Sequence, residues 1–279
     1  MATSPNPPDM LRQIVDRTRQ TIAADRRRHS IEDLQTHPDF NRPTRGFADA
    51  LSTGPNVNVI AEIKRASPSA GLIRRDFDPP SIARAYQAGG ASCLSVLTDE
   101  PFFQGSLDFL IAARQAVELP VLRKDFIVDD YQIVQARAAG ADAVLLIAEC
   151  LPGDSLDDLY RHARSLGMDV LMELYDPSNL DRVLDTGCRL VGINNRDLTT
   201  FKVDLNHTVA VAGEIQSRGL ATDRIVVGES GIHTAEDVRR LADGGAGAIL
   251  VGESLMRQND IASATRAIAT VRRHAPTRS

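Results

Sequence analysis

Four charged side chains stand near the ends of short apolar runs, where a packed core tolerates charge least. Glu62 and Lys64 close the run that begins VNVIAEI, Lys124 falls in PVLRKDF, and Glu173 falls in DVLMEL. Alternate residues of an extended strand share a face, so Ile60, Glu62 and Lys64 project together, spaced about 6–7 Å apart. Lys124 has Leu122 beneath it, Glu173 has Leu171, and Asn194 shares a face with Arg196. The ionisable groups Glu62, Lys64, Lys124, Glu173 and Arg196 therefore arrive from four runs, and burying them unpaired is costly. Two readings stay open: a mutually compensating ion network, or a polar pocket for general acid–base chemistry. A single residue of this kind favours the first, and the whole constellation favours the second.

A second group of residues is suited to an anion. GESGIHTAEDV follows the seventh apolar run and GESLM follows the eighth. Gly231 and Gly252 let backbone N–H groups approach a phosphate without interference from Cβ, and Ser230 adds a hydroxyl. Glu253 is an awkward neighbour for a dianion, so its side chain is expected to turn away while its N–H donates. Taken singly, each glycine is explained by a tight turn; their paired placement points to phosphate. The segment KRASPSAGLIRRDFDPP after the first run is long enough to form a lid, with Ser67 able to donate to an oxyanion and Pro68 stiffening the turn. Arg74 and Arg75 offer a further, external phosphate contact.

The elements that must carry these residues repeat eight times. VNVIAEI, ASCLSVL, PVLRKDF, DAVLLIA, DVLMEL, RLVGIN, RIVVGE and GAILVG read as strands, separated by helix candidates that often start near Asp, Ser or Thr and end in Gly. Short strands joined by helices bury both faces of a parallel sheet. Eight such units predict an α/β fold, a closed (βα)8 TIM barrel with its active site at the C-terminal strand ends. The open doubly wound sheet is the alternative, and it lacks a GxGxxG or GxxxxGK[ST] motif. Leu11, Ile14, Val15, Thr18 and Ile22 recur at helical spacing before the first strand. The expected organisation is a tail at 1–9, a helical extension at 10–56, a barrel at 57–274 forming one domain with it, and a tail at 275–279.

The sequence bounds the partners as well. A net charge of −5 gives no positive field for nucleic acid, and Arg26, Arg27 and Arg28 read as a solvated helix end. No apolar stretch is long enough to span a membrane, and the N-terminal residues carry no apolar signal segment, so a cytoplasmic location is expected. Cys93, Cys150 and Cys188 lack disulfide or zinc spacing, and Cys93 and Cys150, in or beside apolar runs, read as buried thiols. The six scattered histidines form no metal-ligand motif, so neither metal nor cofactor is expected. The chain is read as a monomer or weak homo-oligomer acting on a phosphorylated small molecule, with a separate enzyme partner left open.

AEIKRASPSAG, LRKDFIVDDYQI, MELY, GINNRDL, VGESGI and VGESLM, in this order and spacing, resemble the indole-3-glycerol-phosphate synthase family of tryptophan biosynthesis, across residues 10 to 256. The resemblance implies decarboxylating, dehydrating ring closure of 1-(2-carboxyphenylamino)-1-deoxyribulose 5-phosphate without redox cofactor or metal. It implies Lys124 as general acid, Lys64 as partner of the anthranilate carboxylate, and Glu173 as stabiliser of a developing cation. Glu62 becomes a second acid or base, or the group that fixes Lys64. Asn194 orients substrate, Arg196 tethers the glutamates, and Phe126, Leu145 and Leu198 form an apolar floor for the aryl ring, with Pro68 above. The two lysines could exchange roles. An isomerase acting on a related phosphosugar would need a cysteine and an aspartate, but the first strand ends in AEIK. A noncatalytic metabolite-binding barrel would not need both lysines. The lid expectation is testable by hydrogen exchange: a phosphorylated ligand should slow exchange across residues 64–76, and unchanged protection there would count against loop ordering.

Overall fold

Valine, isoleucine, leucine and alanine dominate the eight apolar runs, and in the computed structural model, which describes residues 9–197 and 199–273, each run is a strand. They are β1 (Asn58–Ile63), β2 (Cys93–Leu97), β3 (Val121–Lys124), β4 (Ala143–Ile147), β5 (Asp169–Leu174), β6 (Leu190–Asn194), β7 (Ile225–Glu229) and β8 (Ala248–Val251). Each strand pairs in parallel with its neighbour in the chain, and β1 pairs with β8 from Asn58↔Ala248 to Ala61↔Val251. That last pairing closes the barrel, removes every free edge from its sheet and excludes the open sheet. Helices on the outside bury the second face of each strand. Several start as expected: Asp78 accepts from Ser81 N, Asp129 from Tyr131 N, and Thr234 forms a reciprocal capping box with Asp237.

The N-terminal residues wrap this barrel from mouth to floor. Helix α1 (Asp9–Arg28) buries the predicted stripe Leu11, Ile14, Val15, Thr18 and Ile22. Thr18 enters that apolar face cheaply because its hydroxyl donates back to the Ile14 carbonyl at 3.0 Å. Arg26, Arg27 and Arg28 form an exposed last turn, as expected, and Arg26 also reaches Asp129 at 2.5 Å and Asp130 at 2.8 Å, with its guanidinium over the Tyr131 ring. A short helix α2 (Ile31–Gln35) follows, and α3 (Phe47–Ser52) covers the N-terminal ends of the strands with Phe47, Ala48 and Leu51. The tails expected at 1–9 and 275–279 fall, apart from Asp9, outside the described residues.

Asp142, at the start of β4, ties extension to barrel. Its carboxylate accepts from Arg45 N at 2.9 Å and Val121 N at 2.8 Å and pairs with Arg114 at 3.2 Å, with no exposure to solvent. Asp169 does the same for α3, accepting from Ala48 N at 2.8 Å. Removing one partner of a buried pair leaves the other charge uncompensated. Asp142→Ala should therefore lower unfolding free energy by about 3–5 kcal/mol, read from urea denaturation; a loss below 1 kcal/mol would show the floor to be held by apolar contacts alone.

Candidate active site

The charged residues picked out by strand alternation meet at the C-terminal mouth of the barrel. Lys124, the last residue of β3, donates to Glu173 Oε2 of β5 at 2.8 Å and to Glu229 Oε2 of β7 at 2.6 Å. Lys64, just past β1, lies 2.6 Å from Glu62 Oε1. All five groups are largely withdrawn from water. Asn194 of β6 donates to Glu173 Oε1 at 3.0 Å and accepts from Arg196 N at 3.0 Å, so its amide fixes one glutamate and starts the next loop.

The proton distribution follows from this crowding. Burial works against the Lys124 ammonium, but Glu173, Glu229 and Glu62 outweigh it and raise its pKa. Burial alone would also raise Glu173, yet Lys124 and the Asn194 hydrogen bond hold its carboxyl below the usual range. Glu229 goes the other way: burial is the largest cause, Lys124 opposes it, Glu173 adds to it, and the pKa is pushed up to about 8. Of the two carboxyls that share Lys124, Glu229 is thus the one that favours the protonated form. In that form the site holds two compensated pairs, Lys124 with Glu173 and Lys64 with Glu62, and no net buried charge.

These groups open into a cavity of ≈ 500 Å³. Ser67, Pro68, Phe126 and Leu145 line it on the β1, β3 and β4 side, and Ser230, Gly231, Gly252 and Glu253 on the β7 and β8 side. Leu198 lies outside the described residues. The Glu253 carboxylate is held by Arg257 at 2.9 Å. The loop after β1 folds back as a two-strand hairpin, Ala66–Ser67 against Gly71–Leu72. Ser67 Oγ accepts from Ala70 N at 3.2 Å.

Two expectations need correction. Arg196 does not tether the glutamates; its guanidinium donates to the Phe201 carbonyl at 3.3 Å because its backbone bridges to Val203 and turns the side chain along that loop. Arg74 is not free for phosphate, since it donates to the carbonyls of Met256 at 2.9 Å and Gln258 at 3.0 Å and pins the hairpin's end to the β8 loop.

The glycines also prove to have packing duties. Ser230 and Gly231 are consecutive left-handed residues, φ 68° and 75°, and a Cβ on Gly231 would collide with Val203. One on Gly252 would collide with the Glu62 carboxylate. Sequence reasoning missed Glu229, although it ends its strand as Glu173 nearly ends its own. It also missed Ser254, and the α1 residues Met10, Leu11 and Ile14, which form part of the wall. Among the described residues, no three His, Cys, Asp or Glu side chains group so as to hold a metal ion.

Comparison with known proteins bears on this geometry. A sequence model of the family "Indole-3-glycerol phosphate synthase" matches residues 11–268. The chain belongs to the indole-3-glycerol phosphate synthase family. A relative of that name from Rhodopirellula baltica is 58% identical over 259 residues, covering 93% of this chain and 98% of its own length. Another, from Azospirillum brasilense, is 47% identical over 263 residues, with the same shares covered. A solved thiamine phosphate pyrophosphorylase from Pyrococcus furiosus superposes with a TM-score of 0.57 at 17% identity, over 76% of this chain and 93% of its own, and shares the fold. Members of the indole-3-glycerol phosphate synthase family are carboxy-lyases, and the acid–base cluster of this chain stands where a (βα)8 enzyme carries its chemistry.

The protonation pattern has a measurable sign. Glu229 has a raised folded pKa, so the folded state keeps a proton that the unfolded chain releases above its ordinary carboxylate pKa of about 4.3. Stability on its account falls as pH rises from there to about 8 and is level beyond. Glu173, shifted down, acts only below that window. The Glu229→Gln variant should lose up to about 1.4 kcal/mol per pH unit of this decline, measured as urea midpoints between pH 5.5 and 8.5. Parallel curves for the two proteins would show that Glu229 is ionised throughout.

Proposed function

We propose that this pocket closes the indole ring of 1-(2-carboxyphenylamino)-1-deoxyribulose 5-phosphate, giving indole-3-glycerol phosphate, carbon dioxide and water, with Lys124 as the general acid. The observation that carries the reading is one ammonium shared by two carboxylates at the barrel mouth, with a second ammonium–carboxylate pair in the same cavity.

Ring closure joins the carboxylate-bearing aromatic carbon to the ribulose C2 carbonyl carbon, and negative charge grows on the carbonyl oxygen. An alkoxide is a far stronger proton acceptor than the carboxylates that otherwise hold Lys124, so the proton moves as the bond forms. Glu229, protonated and 2.6 Å away, can return a proton to the amine. Positive charge appears meanwhile on the ring nitrogen, and ionised Glu173, held by Asn194, is suited to stabilise it. Carbon dioxide then leaves from the ring carbon that formed the new bond, and the electron pair of that broken bond restores the aromatic ring and neutralises the nitrogen. The former carbonyl oxygen then leaves as water on taking a proton from Lys64, while the neighbouring methylene carbon gives up a proton to Glu62 to form the last ring double bond, and Glu62 can pass that proton back to Lys64. Lys64 also suits the substrate carboxylate before that step.

Ser230, Gly231, Gly252 and Glu253 take the phosphate, mainly through backbone N–H groups, while Phe126, Leu145 and Pro68 take the aryl ring. Under the same reading, residues 10–56 form one domain with the barrel at 57–274, supported by Leu11 and Val15 packing in one core with the strands. The protein works as a monomer or weak homo-oligomer in the cytoplasm, which suits three buried, unpaired thiols.

Purified protein mixed with the carboxyphenylamino-deoxyribulose phosphate should release indole-3-glycerol phosphate and carbon dioxide together. Lys124→Ala should cut kcat by roughly 10²–10⁴-fold with the fold retained, and Glu173→Gln should also impair turnover. A fully active Lys124→Ala protein would sink the general-acid assignment.

A further inference from the structure

Gly192 lies in the interior of β6, a place where glycine weakens a strand and calls for a reason. Backbone conformation does not supply it, because Gly192 is not among the residues with positive φ. Space does. A Cβ at this position would fall less than 3.0 Å from Glu229 Oε1, with Leu171 Cδ1 at 3.3 Å and the Glu173 Cα at 3.4 Å closing the other sides.

Gly192 also stands between the right strands. Its register partners are Glu173 on β5 and Val227 on β7, so it separates the two glutamates that share Lys124. Glu229 has no easy way to yield. Its Oε2 is 2.6 Å from Lys124, its Oε1 is buried without a hydrogen-bond partner, and only 2% of the residue meets solvent. A methyl group would have to move the carboxylate at the expense of the ammonium contact. The same device recurs one quarter-turn on. Glu62 of β1 leans over Gly252 at the end of β8, where a Cβ would meet its Oε1 at less than 3.0 Å, and Glu62 holds Lys64. Each carboxylate lies across the strand that precedes it around the ring.

We propose that Gly192 is a positioning residue for the reaction: its missing side chain is the slot in which the Glu229 carboxylate lies, and filling that slot separates Glu229 from Lys124. The catalytic part of this statement rests on the assignment of Lys124 proposed above; the steric part does not.

The test is a pair of cycles on the full chain. Gly192→Ala should lower kcat on the order of 10²-fold, the usual cost of misplacing a catalytic group by about 1 Å, with KM for the carboxyphenylamino-deoxyribulose phosphate changed less than about threefold. Glu229→Asp withdraws the carboxylate by one methylene. In that background the added Gly192→Ala should cost less than about threefold in kcat. An equal factor in both backgrounds, or an unchanged kcat for Gly192→Ala alone, overturns the proposal.

The second cycle reads the slot without activity. Gly192→Ala should lower the urea midpoint of the native protein and have little further effect on Glu229→Ala. Should Gly192→Ala fail to fold, recovery of a folded protein on adding Glu229→Ala supports the slot, and failure in both backgrounds overturns it. If the stability cycle shows coupling while Lys124→Ala stays active, the general-acid assignment fails and the slot stands.

Discussion

A lysine ammonium with little access to water must be matched by anionic charge, and the arrangement of the barrel mouth follows from that requirement. Lys124 touches Glu173 and Glu229 at once, which is one carboxyl more than its charge can balance. Desolvated charges interact strongly, so the surplus is removed by leaving a proton on Glu229. Asn194 then secures the ionised partner, and the strand between the two glutamates carries no side chain where they crowd it. Glu62 in the same way covers Lys64. Both ammonium groups are therefore held in place, and each can exchange a carboxyl partner for a substrate oxygen without exposing a bare charge.

Such a mouth contributes little to stability, and the fold places its stabilising contacts elsewhere on the same strands. Leu122 lies fully buried two residues before Lys124, and Leu171 two residues before Glu173. Beneath these layers the floor is closed by α3, whose Phe47, Ala48 and Leu51 are buried against the strand ends, and by Asp142 and Asp169 accepting from the extension's backbone. Period-two alternation thus separates the apolar layers from the charged layer by about 6–7 Å along each strand.

The same alternation explains what could be read without coordinates. Glu62, Lys64, Lys124 and Glu173 were legible because charge at the end of an apolar run has few structural uses. The α1 stripe was legible through its spacing, down to Thr18. Glu229 carried the same signal in RIVVGE but sits inside VGESGI, where the glycine drew attention to phosphate. Arg196 was misassigned because strand alternation stops being a guide where β6 ends; a bridge to Val203 redirects its side chain. Nor could periodicity say where an amphipathic helix docks. The stripe fixes which face of α1 is buried, whereas where it docks is set by partners far away in sequence: the core that Leu11 and Val15 join, and Asp129 and Asp130, which Arg26 meets more than a hundred residues on.

That docking point ties α1 to the segment that carries Lys124. Beyond β3 the chain runs through Asp125 and Phe126 to Asp129, and it is fixed from both sides. Inside, the Arg123 guanidinium, on the face of β3 opposite Lys124, reaches Asp125 at 2.9 Å and the Gln132 carbonyl at 2.9 Å. Thr98 donates to the same Asp125 at 2.5 Å, and Gln132 donates to the Phe126 carbonyl at 3.0 Å. Outside, Asp129 both caps the following helix and receives Arg26. Buried, satisfied polar networks of this kind hold a backbone to one geometry. Lys124 and Phe126, which line the cavity, are therefore set on a rigid run, and the wall that α1 adds with Met10, Leu11 and Ile14 is referenced to the same run. Acid and aryl surface keep their separation because one short stretch of chain fixes both.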